Sequence, residues 1–154
     1  MLLVLLPGLD GNAFLFGRFI NALPESVETL VIDYPREVKQ TYDPLLELVR
    51  ARLPTEQPFR HLVGPVGRGV LALRVRQTLG VDVSRAVKNA KVPMLHLGAR
   101  DDLLLRSGLA NELSALNPAI ELVELPGPHL LLQVKPEESA AIIARFATAQ
   151  SRSL

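Results

Sequence analysis

Three glycines within Gly64-Pro65-Val66-Gly67-Arg68-Gly69 stand directly ahead of a stretch with helical spacing. Backbone N–H groups in such a turn can cradle a phosphate, with Arg68 adding charge. The spacing is neither that of the dinucleotide fingerprint nor that of the P-loop, and no Lys-Ser/Thr pair follows. Further along, Gly98-Ala99-Arg100 leads into two adjacent carboxylates, Asp101 and Asp102, ahead of Leu103. Acids there suit the positive end of a helix beginning at the leucines. The last chemistry-bearing residue is a loop imidazole, His129 in Gly127-Pro128-His129. His61 and His96 fall inside apolar runs and read as core or sheet-face residues hydrogen-bonded to neighbours. Neither is spaced from another histidine or a carboxylate as metal ligands are, so no metal is expected, and no cofactor. Ser84 and Ser107 stand at helix beginnings, where hydroxyls serve as caps or first-turn residues; Ser114 is the other mid-chain serine.

These residues need elements to position them. Five short apolar runs, each closed by Gly, Pro or Asp, are apolar without alternation, as strands buried on both faces are. They are Leu2 to Leu6, Thr29 to Asp33, Arg60 to Gly64, Val92 to Gly98 and Ile120 to Leu125. Between them, helical spacing runs over Ala13 to Leu23, Tyr42 to Leu53, Gly69 to Leu79, Asp82 to Ala90, Arg106 to Leu116 and Pro136 to Ala149. Asp43-Pro44 and Pro136-Glu137-Glu138 open two of these as helix N-termini require. Strand then helix, repeated, predicts an α/β three-layer sandwich with a five-stranded parallel sheet and right-handed crossovers. The simplest order is 2-1-3-4-5, which brings the loops Pro7 to Asn12 and Gly64 to Gly69 to the switch point beyond the strand ends.

The totals agree with one domain over residues 1–147 and a frayed tail over 148–154. A chain of 154 residues that is 48% hydrophobic can fill one core. With 17 basic and 16 acidic residues the formal net charge is +1, so no long-range field favours nucleic acid or anionic lipid. The absence of cysteine excludes disulfides and thiolate chemistry and permits a cytoplasmic location. Met1 to Leu6 stops at Pro7-Gly8 before reaching the length of a signal peptide, and no run approaches the ~20 apolar residues that span a bilayer, so no membrane insertion is expected.

Leu6-Pro7-Gly8-Leu9-Asp10-Gly11 after the first strand, Gly98-Ala99-Arg100-Asp101-Asp102 after the fourth and Gly127-Pro128-His129 after the fifth together resemble the α/β-hydrolase family from Leu2 to about Ala147. The resemblance implies that Leu9 or Asp10 supplies an oxyanion-hole N–H, Asp101 the triad acid and His129 the base. The sequence departs from the family by lacking a strand and a helical cap between the helix at Gly69 and the strand at Val92, and by lacking the family's first antiparallel strands. A third departure concerns the nucleophile. The family's elbow, Gly-x-Ser-x-Gly, aligns with Gly64-Pro65-Val66-Gly67-Arg68, which places Val66 where the attacking serine belongs. An isopropyl group neither attacks a carbonyl nor exchanges a proton. A β-branched residue also resists the positive φ of a nucleophile elbow, so Gly67 is expected to take any positive φ in this turn. Asp10 is a carboxylate near the oxyanion loop, but aspartate nucleophiles of the family occupy the elbow itself.

The resulting expectation is an esterase-like or lipase-like hydrolase homologue whose activity on ester-type substrates is absent or very low. The contrasting readings are a non-catalytic module that binds a small apolar ligand or forms a homodimer, and a phosphate or nucleotide site at Gly64 to Gly69. Leu103 to Leu105 and Leu130 to Leu132 flank the acid and base loops. Part of each run is expected to pack at a helix start, and the remainder to leave apolar surface for an acyl chain or a second subunit.

Overall fold

The computed structural model describes residues 1–7, 13–34, 42–53, 59–63, 80, 82–105 and 108–151. The chain divides into two compact units, Met1–Val81 and Asp82–Leu154.

The first unit is organised by β1 (Leu2–Leu6), which pairs in parallel with β2 (Glu28–Val31) on one side and β3 (Phe59–Val63) on the other. A run of five aliphatic residues has no polar face to offer water, so it takes the central position, and Leu3, Val4 and Leu5 are fully buried. Val4 stands opposite both Leu30 and His61 in register, which places His61 on a strand as its neighbours predict. The helix expected over Ala13 to Leu23 divides into a 3-10 turn (Ala13–Phe16) and a short helix α1 (Gly17–Asn21). Gly17 at the junction is a poor helix former. Pro24 cannot continue the helix, which closes with Ala22 N–H on Phe19 O and Leu23 N–H on Ile20 O. Phe16 and Phe19 are completely buried and supply the bulk of this unit's aromatic core. Helix α2 (Tyr42–Arg52) follows the predicted bounds and buries Leu45.

The second unit begins with α3 (Ser84–Asn89), continues through β4 (Leu95–Ala99), α4 (Leu109–Leu116) and β5 (Glu121–Leu125), and ends with a short helix α5 (Leu131–Val134) and α6 (Pro136–Ser151). Ser84 is the first residue of α3 rather than its cap, the N-cap being Val83, and the Asp82 Oδ1 accepts the Ser84 N–H at 2.9 Å. The Ser84 hydroxyl and N–H, both bonded to this carboxylate, hold the Asp82 carboxyl below the usual carboxylate value. Strand β4 starts three residues later than the apolar pattern indicates, after Pro93, which has no N–H to place in a ladder. Asn117, buried after α4, donates its amide to Val87 O and Ala90 O and accepts the Ala119 N–H, so that one side chain closes the end of α3 and the turn into β5. In α6, Ser139, Ala140, Ile143 and Ala147 are buried on one helical face. This helix runs to Ser151, past the Thr148 at which a tail is expected, and the Thr148 hydroxyl bonds Ala144 O within it.

Among the described residues the strands form two parallel sheets, β2-β1-β3 and β4-β5, which corrects the expectation of one five-stranded sheet in the order 2-1-3-4-5. The adjacencies within each sheet are those of that order. An apolar run specifies burial, whereas a parallel pairing takes its partner and register from long-range packing, with no hairpin turn to fix them. No helix among the described residues is long and apolar enough to cross a membrane. The helix expected over Gly69 to Leu79 lies outside the described residues.

Candidate active site

The second unit brings together the loop after β4 and the loop after β5. Parallel strands deliver their carboxyl ends to the same edge, and the register pairs Ala99 with Leu125, so both loops leave the sheet at one level. The ladder continues for two residues beyond the strands, with Arg100 N–H on Leu125 O at 2.9 Å and Asp101 N–H on Gly127 O at 3.0 Å.

Beyond that point side chains take over. His129 Nδ1 lies 2.8 Å from Asp102 Oδ2. The other carboxylate oxygen, Oδ1, accepts the N–H groups of Leu104 and Leu105 at 2.8 and 2.9 Å. Asp102 therefore fixes a bend in its own loop with one oxygen and the imidazole with the other. Its side chain is 13% exposed and that of His129 31%. Burial pushes the Asp102 carboxyl upward, but the Leu105 N–H, the His129 hydrogen bond, the Leu104 N–H and the charge of His129 together outweigh it, and the group is held below the usual carboxylate value. An ionised carboxylate only accepts hydrogen bonds, so the Nδ1 of His129 carries the proton, which leaves the Nε2 lone pair free whenever the ring is neutral. An imidazole so oriented, with an ionised acid behind it, has the geometry that general-base chemistry requires.

The Gly-x-x-Asp count designates Asp101 as the acid, yet the carboxylate against the imidazole belongs to Asp102. Asp101 Oδ2 accepts the Gly127 N–H at 3.0 Å instead. The physical reason is the turn after β4. Asp101 is still in register with the neighbouring loop through its own N–H, and its carboxylate is taken by the Gly127 N–H, whereas Asp102, just past the turn at Arg100–Asp101, has its carboxylate against His129. No spacing in the sequence distinguishes two adjacent aspartates on this point.

His129 is anchored on its other side by α5, where Gln133 and Val134 donate to Leu130 O, Lys135 donates to Leu131 O, and Leu131 is buried. Gly127 has φ +148°, a conformation that L side chains rarely adopt. A Cβ there would meet Leu131 Cδ2 at 3.4 Å, an ordinary contact, so backbone conformation rather than crowding demands glycine. Gly127→Ala is expected to cost about 1–3 kcal/mol, read as a fall in the thermal midpoint of about 2–4 °C per kcal/mol. Gly17→Ala is the control: its Cβ would meet nothing within 4 Å, no positive φ is required, and the midpoint should hold or rise.

The two leucine runs have different fates. Leu131 enters the core, whereas Leu103, Leu104 and Leu105 are 96%, 75% and 47% exposed, and Leu130 is also exposed. His96 lies on β4, with its Nε2 3.1 Å from where a Cβ on Gly98 would stand, so the bare glycine makes room for the ring on the sheet face. Leu9, Asp10, Gly64, Val66, Gly67, Arg68, Gly69 and Ser107 lie outside the described residues.

No protein-family model matches the chain, and no curated protein sequence is similar to it. Solved structures are. One is a lipase-esterase related protein from Clostridium acetobutylicum ATCC 824, with a TM-score of 0.71 and 14% identity over 94% of this chain and 93% of that one. A predicted CIB-like hydrolase from Thermoplasma acidophilum gives 0.67 and 17% identity over 95% of this chain and 85% of that one. An esterase from Pyrococcus furiosus gives 0.65 and 14% identity over 96% of this chain and 82% of that one. At these identities the likeness is one of fold.

Proposed function

We propose, from the premise that this chain has the α/β-hydrolase fold, that it is an esterase-type hydrolase homologue which retains the acid and base of a triad and lacks its nucleophile. The observation that carries the reading is the 2.8 Å bond between His129 Nδ1 and Asp102 Oδ2. The acid and the base follow β4 and β5 in the family's chain order, and the neighbours are esterases and hydrolases by description. With Val66 at the nucleophile position, the remaining chemistry is general-base activation of water. His129 Nε2 takes a proton from water as its oxygen bonds to the acyl carbon. The tetrahedral intermediate then expels the alkoxide, which recovers that proton from the imidazolium, giving a carboxylic acid and an alcohol. The N–H groups of Leu9 and Asp10 are assigned to the oxyanion by the family resemblance.

Such a mechanism is slow. A triad without its nucleophile keeps a residual enhancement on the order of 10³ over water, from the oxyanion hole and binding. Steady-state hydrolysis of short acyl esters, run beside His129→Ala, is the test. A slow turnover that His129→Ala abolishes supports the reading, and a rate that the substitution leaves unchanged refutes it. The exposed leucines next to the acid loop favour a second reading, in which the chain holds a small apolar ligand without turning it over. Thermal stabilisation by fatty acids or esters without hydrolysis would select that reading.

A further inference from the structure

We infer that Asp101 is a positioning residue, which sets the His129 imidazole against Asp102 by holding Gly127 through a two-bond clamp. The inference rests on the reading of His129 as a base and extends it to a residue that does not touch the imidazole in the described contacts.

Asp101 and Gly127 exchange two hydrogen bonds. The Asp101 N–H donates to Gly127 O at 3.0 Å, and the Gly127 N–H donates to Asp101 Oδ2 at 3.0 Å. The first belongs to the extended ladder between the loops. The second replaces a ladder bond with a charge-assisted one at the residue where the chain takes φ +148° and leaves the sheet direction. Only Pro128 separates that residue from His129, and its ring fixes its own φ. The orientation of the Gly127 peptide is thereby transmitted to His129 through a segment with little freedom. Downstream, α5 is held by buried Leu131. The imidazole loop is tied at both ends, and Asp101 is the tie on the strand side.

The adjacent aspartates divide the work. Asp102 contacts the imidazole and the bend at Leu104 and Leu105, while Asp101 contacts the backbone of the imidazole's own loop. A purely structural role for Asp101 would alter stability and leave the imidazole's signature alone. A positioning role alters the signature, and any side chain able to accept the Gly127 N–H should restore it.

The experiment is NMR on the full chain labelled with 15N and 13C. In the wild type a through-hydrogen-bond coupling is expected between the Gly127 amide nitrogen and the Asp101 carboxyl carbon, together with a low-field His129 Nδ1 proton. Asp101→Ala, checked for folding by circular dichroism, should lose the Nδ1 proton signal and speed Gly127 amide exchange on the order of tenfold or more. Asp101→Asn keeps an acceptor oxygen and should retain both. An Asp101→Ala protein with the wild-type Nδ1 signal overturns the inference, as does a wild-type protein without the coupling, a measurement that needs no variant. Failure of the hydrolytic reading is seen separately: esters go unhydrolysed in every variant while the spectra behave as stated.

Discussion

Val66→Ser is expected, on the proposed correspondence with the nucleophile elbow, to raise ester hydrolysis on the order of 10²-fold or more above the wild-type rate, because it would return an attacking hydroxyl to a chain whose proposed base and acid are already joined. The mechanism proposed for the wild type asks His129 to activate an untethered water. A serine held at the elbow is present at a far higher effective concentration, and it splits the reaction into acylation and deacylation, each with its own proton transfer through Nε2. The gain should fall short of the ~10⁶-fold spread between intact and nucleophile-less triads, since the turn around Gly67 is expected to have relaxed once no nucleophile required its strain. Burst kinetics with a p-nitrophenyl ester report acylation directly. Adding His129→Ala to Val66→Ser should return the rate to background. A folded Val66→Ser protein with no gain would show that the turn after β3 does not correspond to the nucleophile elbow.

Asp102→Asn in the Val66→Ser background should remove most of that gain, with a fall on the order of 10²–10⁴-fold in kcat. The substitution preserves shape and changes proton bookkeeping. An asparagine that keeps its carbonyl oxygen on the Leu104 and Leu105 N–H groups turns its NH₂ toward His129 Nδ1. Nδ1 then accepts, the ring proton moves to Nε2, and the imidazole faces its substrate in the wrong tautomer. The same variant makes a statement about stability. The Asp102 carboxyl is held below its ordinary value in the folded protein, so its contribution is fully present above the ordinary carboxylate value and is lost as pH falls through the folded value. Thermal midpoints of wild type and Asp102→Asn should therefore lie apart at neutral pH and converge on acidification into the range below the ordinary carboxylate value. Midpoints that stay equally far apart would assign the stability difference to shape rather than charge.

The exposure of Leu103, Leu104 and Leu105 bears on the same carboxylate. Its Oδ1 holds the bend that presents these side chains, so the apolar surface and the imidazole share one aspartate. A sequence in which two carboxylates precede three leucines suggests helix-start acids, and Asp102 does accept N–H groups from the segment that follows. The segment is a bend rather than a helix, and α4 begins only at Leu109.

What the sequence determined is what depends on residues near one another in the chain. The apolar runs became strands, β1 with no polar residue at all and β5 with Glu121 and Glu124 left exposed; α2 and α6 start where Pro and acids allow, and the loops with His129 and the aspartates follow strands because Gly and Pro end those strands. The family resemblance likewise lay in short local signatures. Tertiary structure decided the rest. The choice of Asp102 over Asp101 depends on which of them follows the last shared ladder bond, and the division of the ladders into two sheets depends on long-range pairing. Leu131 is buried while Leu103 is exposed because only one of them faces a core formed by residues distant in sequence. Local composition fixes what an element is; which atoms meet is fixed by a register set between elements far apart in the chain, where a shift of one residue exchanges one carboxylate for the next.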